Sequence, residues 1–124
     1  MQYPSYNLQK AVYEILANTV GQIVFHTVPQ SQPLPYVKIG DDIIEQDDSV
    51  GDFFFCTIHV HVLAESLPKV KLLMAAIVGA LGQDIEVEDF ETLESHFIQT
   101  VQISESDGIT AHMMAEFEYV LQPV

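Results

Sequence analysis

A strand pattern runs directly into a helix pattern in residues 53–82, FFFCTIHVHVLAESLPKVKLLMAAIVGALG. Apolar and polar side chains alternate in the first part, which is typical of a strand in a sheet with one buried face. The inward residues are Cys56, Ile58, Val60 and Val62, and the outward residues are Thr57, His59 and His61. Residues 53–63 are therefore predicted to form a strand that has one wetter face.

The second part of this stretch has the spacing of one helical face. Its apolar residues are Val70, Leu73, Met74, Ile77, Val78 and Leu81. Pro68 suits the first turn of a helix, because the N–H group that proline lacks would have no helical partner there. We therefore predict a helix with Ser66 or Leu67 at its N-cap and Gly82 at its end.

Toward the N-terminus, apolar residues again recur at helical spacing. They are Leu8, Ala11, Val12, Ile15 and Leu16. This pattern predicts a first helix with Ser5 as its N-cap and Asn18 or Gly21 as its stop. A short β-rich run follows in residues 22–28, and the three prolines of residues 29–35 then favour an extended connection.

The next strand pattern starts at Tyr36 and leads into the acidic residues 41–52. Val37, Ile39 and Ile43 have the same parity, so they are predicted to share the inward face of this strand. Because the strongest strand follows closely, the two are predicted to pair as a long hairpin.

Two more strand patterns follow the second helix. Phe97, Val101 and Ile103 indicate a strand over residues 96–104, and Gly108 then provides the positive φ that a tight turn needs. The last strand is predicted over residues 109–121. Its inward residues are Ile109, Ala111, Met113, Phe117 and Tyr119, and its outward residues are Thr110, His112, Glu116 and Glu118.

The predicted order of elements is therefore α-β-β-β-α-β-β. Since hairpin connections dominate, we expect an α+β fold, with a mainly antiparallel sheet and two helices packed on one face. A chain of 124 residues has room for one core, so residues 1–124 are predicted to form a single domain.

The composition excludes several classes of protein. The chain has four Lys, no Arg and a formal net charge of −14, so it lacks the clustered cations that nucleic-acid binding needs. Its apolar content of 48% argues against a disordered acidic tail. The longest apolar run is too short for a membrane span, and no export signal or possible internal disulfide is present. We therefore expect folding in the cytosol.

Twelve of the eighteen acidic residues lie in two short windows, residues 41–52 and 84–94. Like charges repel and favour hydration, so these windows are most simply solvated connections. A second interpretation is an electrostatic surface that faces a basic partner or a DNA conduit.

Little in the sequence indicates catalysis. His59 and His61 form the one pattern with metal-ligand character, but no spacing marks the further ligands that zinc would need. Cys56 has the apolar parity of its strand, which indicates a buried and inert thiol. We therefore predict no enzyme, no cofactor and no metal. The alternative is a stand-alone acidic α+β module that binds a metal or ligand through His59 and His61.

The order of segments resembles the tail-terminator proteins of long-tailed phages, prophages and gene-transfer particles, which complete the tail and join it to the head. The resemblance covers roughly residues 5–122. It rests on the segments LQKAVYEIL (8–16), VPQ (28–30), PLPYVKIG (33–40), TIHVHV (57–62) with the Lys69 helix after it, and DGITAH (107–112). The chain departs from the family in having no Arg and a strongly negative charge.

The resemblance implies a structural virion protein and not an enzyme. It implies a ring, commonly a hexamer, which forms in the host cytoplasm, caps the tail tube and then meets the head–tail connector. DNA would pass through such a ring without specific binding, and no membrane would be involved. The surfaces that we expect to contact a partner or line the channel contain Asp41, Asp42, Glu45, Asp47, Asp48, Thr57, His59 and His61.

Overall fold

Seven elements follow one another within residues 3–47, 49 and 51–124, which the computed structural model describes, with Asp47 described by its backbone alone. They are helix α1 (Ser5–Val20), strands β1 (Val24–Phe25), β2 (Tyr36–Asp47) and β3 (Phe53–Ala64), helix α2 (Leu67–Leu81), and strands β4 (Phe90–Ser104) and β5 (Ala111–Pro123). Their order, α-β-β-β-α-β-β, confirms the prediction.

The strands form one sheet in the order β1-β2-β3-β5-β4. Strand β1 pairs with β2 in parallel, and the other neighbours pair antiparallel. Helix α1 packs against α2, β1 and β2, while α2 packs against β3 and β5, so both helices cover the same face. The predicted α+β fold is therefore confirmed. Neither helix in the described part of the chain is long and apolar enough to cross a membrane.

The core lies between the helices and the inward side chains of the central strands. Strand β3 contributes Phe54, Cys56, Ile58, Val60 and Val62, β5 contributes Met113, Ala115, Phe117, Tyr119 and Leu121, and α1 and α2 contribute Leu8, Val12, Leu16, Val70, Met74, Ile77 and Leu81. The hydroxyl of Tyr119 donates a hydrogen bond of 2.6 Å to the Leu81 carbonyl, which joins β5 to the end of α2. Burial raises the pKa of this phenol.

Three of the four helix ends lie where the sequence predicts them. The hydroxyl of Ser66 accepts a hydrogen bond from the Lys69 amide, so Ser66 is the predicted N-cap of α2, which ends before Gly82. Helix α1 ends before Gly21, whose φ of 91° favours glycine. The N-cap prediction for Ser5 was wrong, because Ser5 is already helical and its hydroxyl donates to the Asp42 carboxylate instead.

A β-bulge in β2 inverts the predicted alternation. Ile39 pairs with Val60 while Asp42 pairs with Ile58, so β2 carries one extra residue between these pairs. One inserted residue moves every later side chain to the opposite face. Ile43 is therefore 52% exposed and not inward as predicted, and Ile44 packs against the core in its place.

Glycine has a specific role at this bulge. A Cβ on Gly40 would lie 3.2 Å from the His59 carbonyl oxygen and 3.2 Å from the His61 ring. Such contacts are tighter than van der Waals packing normally allows. Because Gly40 has no side chain, the His61 ring can pack beside β2 at this position.

The acidic windows are more structured than the sequence suggests. Residues 41–47 belong to β2, and those after the bulge, 42–47, pair with β3, so this part of the window is strand and not a connection. In the second window Ile85, Val87 and Phe90 are buried, and β4 begins at Phe90 instead of near residue 96. These short apolar anchors hold the segment against the core despite its charge.

Two further boundaries differ from the prediction. Strand β1 spans Val24–Phe25 and not the whole of residues 22–28, because within the described residues only these two pair with a strand, at the start of β2. Ile109 was predicted to be inward, yet it is 81% exposed. The Asp107 carboxylate accepts hydrogen bonds from the amides of Ile109 and Thr110, which extends the turn up to the start of β5 at Ala111.

Candidate functional site: the open face of the sheet

The helices cover one face of the sheet, and no described helix or strand packs on the other. We call this second surface the open face. It carries side chains of opposite parity to the core. Among them are Lys38, Ile43, Glu45, Phe55, Thr57, His59 and His61 of β2 and β3, His112, Met114, Glu116 and Glu118 of β5, and His96, Gln99, Val101 and Ile103 of β4.

A polar row crosses the middle of the open face. The Nδ1 atom of His59 lies 3.1 Å from the Asp41 carbonyl oxygen, which can only accept, so Nδ1 carries a proton. Its Nε2 atom lies 3.6 Å from the Glu116 carboxylate, whose other oxygen accepts a bond of 2.9 Å from Gln99. The row thus links β2, β3, β5 and β4 in turn. The side chains of His59 and Glu116 are each 23% exposed, so the row is half sheltered.

A histidine pair lies beside this row. The Nδ1 atom of His61 is 2.9 Å from the Nε2 atom of His112, and a proton on one of the two nitrogens makes the hydrogen bond. The buried Nδ1 atom of His112 has no hydrogen-bond partner among the described residues and lies 3.7 Å from the Glu105 carboxylate. Protons on both facing nitrogens would break the bond, so the rings cannot both become charged without separating.

The environment of His61 opposes its protonation. Burial lowers the pKa of His61 most, and the nearby His112, Lys38 and His59 lower it further, while Asp41 acts in the opposite direction. His61 is therefore favoured in its neutral form, in which it can keep its hydrogen bond to His112.

Histidine is concentrated on the open face. His59, His61, His96 and His112 all lie there, and His96 contacts Glu94 at 3.0 Å within β4. The fifth histidine, His26, lies elsewhere and contacts Gln9 and Tyr13 of α1. The alternation along β3 predicts that His59 and His61 share a face. His96 and His112 join them only because β5 pairs with both β3 and β4, and no single segment of the sequence shows this strand order.

The structure places the predicted contact residues on more than one surface. Thr57, His59 and His61 lie on the open face, and Glu45 lies there beside its cross-strand neighbour Phe55. Asp41 reaches the face through its carbonyl group. Asp42 does not belong to it, because its carboxylate turns to α1 and accepts the Ser5 hydroxyl. The side chain of Asp47 and all of Asp48 lie outside the described residues.

The geometry does not favour the alternative of a metal-binding module. No group of three or more histidine, cysteine or acidic side chains with metal-site geometry is present in the described residues. Cys56 is buried on the helix side, away from the histidines. Burial raises the pKa of the Cys56 thiol to about 12, so it stays protonated at neutral pH.

Solved structures share this fold. A chain from the structure "Virion of native gene transfer agent (GTA) particle" superposes with a TM-score of 0.82 at 22% identity and covers 98% of each chain. The bacteriophage SPP1 gp17 protein superposes with a TM-score of 0.58 at 23% identity, over 95% of this chain and 91% of that chain. Both comparisons show that the fold is common to proteins of such particles.

A family model gives a more specific result than the fold comparisons. The model for the tail completion protein gp17 matches residues 10–122, from the first helix to the end of the last strand. No curated protein among those compared matches the chain. The family match runs over nearly the whole length, and the chain therefore belongs to the tail completion protein gp17 family.

Proposed function

We propose that copies of this tail completion protein close into a ring, a hexamer, at the head-proximal end of a tail tube. The ring ends tail growth and joins the tail to the head. In this role the chain acts through its shape and its interfaces and carries no catalytic residue. It assembles in the host cytoplasm and remains in the finished tail.

The open face is the observation that carries this proposal. One whole side of the sheet has no covering layer within the described chain, yet its central side chains are held by hydrogen bonds across four strands. A surface that is ordered in advance loses little conformational entropy when a partner binds. Half-sheltered polar groups of this kind suit contact with another protein subunit.

A contact between two different surfaces of the same chain leads to a ring. Such a contact is heterologous, and it closes into a ring when the rotation between neighbours divides a full turn. We propose that Thr57, His59 and His61 contribute to this contact from the open face. The outer surfaces of the ring then meet the tail-tube protein on one side and the head–tail connector on the other.

The charge of the chain suits a DNA channel. With a net charge of −14 and no Arg, the protein offers passing phosphates few cations to bind. Acidic residues of the windows 41–52 and 84–94, placed toward the lumen, would create a negative potential there. DNA would then pass through the ring without adhering to its wall.

Sedimentation velocity of the full chain tests the ring. The expected result is a single species several times the monomer mass, which grows at the expense of monomer as protein concentration rises. Addition of tail tubes from the same particle should shift the equilibrium further toward that species. A monomer at every concentration, with and without tubes, would overturn the proposal.

A further inference from the structure

A shallow apolar groove of about 520 Å³ lies between α2 and β4, on the helix side of the sheet. Its lining includes Lys71, Met74, Val78, Phe97, Thr100 and Met113. Phe97 contacts the core ring of Phe117 at 5.7 Å between centroids, yet it is 42% exposed. Contiguous apolar surface that is exposed, as here at the edge of a sheet, often marks a site where another molecule binds.

The charge of this groove is opposite to the net charge of the chain, which is −14. Its lining contains Lys71 and no acidic residue. By contrast, a cleft between α1 and the β2 bulge is lined by Asp41 and Asp42, and a second cleft is lined by several acids of the window 84–94. Lys10 pairs with Glu88 at 3.3 Å, but Lys71 has no ion pair within the described residues. The groove therefore presents an uncompensated cation among apolar side chains.

We propose that this groove receives the open-face side of the β2–β3 hairpin of a second copy of the chain. The hairpin has the complementary composition. Exposed Glu45 pairs across the strands with Phe55, which is 37% exposed, and the exposed Ile43 lies two residues before Glu45 on the same face. Within the described residues Glu45 has no ion pair and lies beside these two apolar side chains, so apolar contact and opposite charge coincide.

The two surfaces can be used at the same time. The groove lies at the β4 edge on the helix side, and the hairpin lies near the opposite edge with its residues on the open face. One copy can therefore give its hairpin to one neighbour and its groove to another. This inference rests on the proposed ring and names the two surfaces that form each contact in it.

A charge exchange tests the contact. Lys71→Glu and Glu45→Lys should each raise the protein concentration at half assembly by about tenfold, because attraction becomes repulsion. The double variant restores opposite charges at every contact and should assemble as the wild type does. An equimolar mixture of the two single variants should also assemble, because alternating copies pair opposite charges around a ring with an even number of subunits.

Matched controls separate local charge from total charge. Lys69→Glu and Glu14→Lys make the same changes in net charge at exposed helix positions that line neither the groove nor the hairpin, so they should leave assembly nearly unchanged. Equal denaturation midpoints for all variants would show that each one folds. A wild type that assembles while Lys71→Glu assembles equally well, or a double variant without rescue, would overturn this contact and leave the ring intact. A wild type that never assembles would overturn the ring itself.

Discussion

At the scale of single residues, the open face depends on how individual hydrogen bonds are satisfied. The outward parity of His59 and His61 could be predicted from the alternation in β3, and the structure confirms it. Their partners could not be predicted, since Glu116 and His112 meet them only through the pairing of β3 with β5. The N-cap of α1 was missed because Ser5 bonds to Asp42, a residue far away in the sequence.

His61 should make stability fall in mild acid. Its pKa is lowered in the folded protein from 6.5, so the unfolded chain takes up the proton first as pH falls through that value. Protonation then stabilises the unfolded state, and the stability present above about pH 6.5 is lost progressively below it. Chemical denaturation from about pH 7.5 to about pH 5.5 should show a smaller loss for His61→Gln than for the wild type.

A histidine outside the open face provides the control for this pH experiment. His26→Gln removes an exposed imidazole that contacts α1, so its profile should follow the wild type. Equal slopes for the wild type and His61→Gln would contradict the role that we assign to the histidine pair.

The buried hydroxyl of Tyr119 allows a second residue-scale prediction. Tyr119→Phe keeps the ring in the core but leaves the Leu81 carbonyl without this partner. We expect a loss of about 1–3 kcal/mol in the free energy of unfolding, the usual cost of an unpaired buried polar group. Tyr6→Phe, at an exposed position of α1, should change it by less than about 0.5 kcal/mol.

At the scale of elements, helices and strands with regular periodicity could be predicted, whereas bulges and strand ends that depend on strand pairing could not. The helical spacing of α2 and the alternation of β3 are local patterns, and both elements lie where the sequence predicts them. The bulge after Ile39 depends on how β2 pairs with β3, so the predicted inward position of Ile43 was wrong. Strand β4 begins earlier than predicted for the same reason: its acidic first residues adopt a strand conformation because they pair with β5.

Two leucines of α2 test which of its faces packs on the sheet. Leu81 is fully buried, whereas Leu72 is 72% exposed. Leu81→Ala should cost about 2–5 kcal/mol in the free energy of unfolding, the usual range for a buried large-to-small change. Leu72→Ala should cost less than about 0.5 kcal/mol. Similar losses for the two variants in urea denaturation would mean that the helix is rotated relative to our account.

At the scale of the whole molecule, charge and shape act in opposite directions on assembly. Each copy carries a net charge of −14, so neighbours in a ring repel over distances that salt can screen. The open face and the groove beside α2 provide attraction at short range only. The family could be recognised from the order of segments, whereas the surfaces that would meet in a ring required the strand order and the bulge.

Assembly should therefore respond strongly to ionic strength. Raising salt from about 0.05 M to about 0.3 M shortens the screening length from more than 10 Å to less than 10 Å. The fraction of chain in the ring, measured by sedimentation, should increase over this range. A fraction that falls steadily as salt rises would instead indicate that attraction between opposite charges dominates the contact.

Electron microscopy of tail tubes assembled with and without the full chain tests the central claim most directly. We predict a ring with an open channel at one end of each tube, and tubes that stop lengthening once the ring is in place. Tubes without the chain should keep growing and fail to join heads. Tubes of the same length and bare ends in both samples, or chain bound along the tube walls, would contradict a role in tail completion at the tube end.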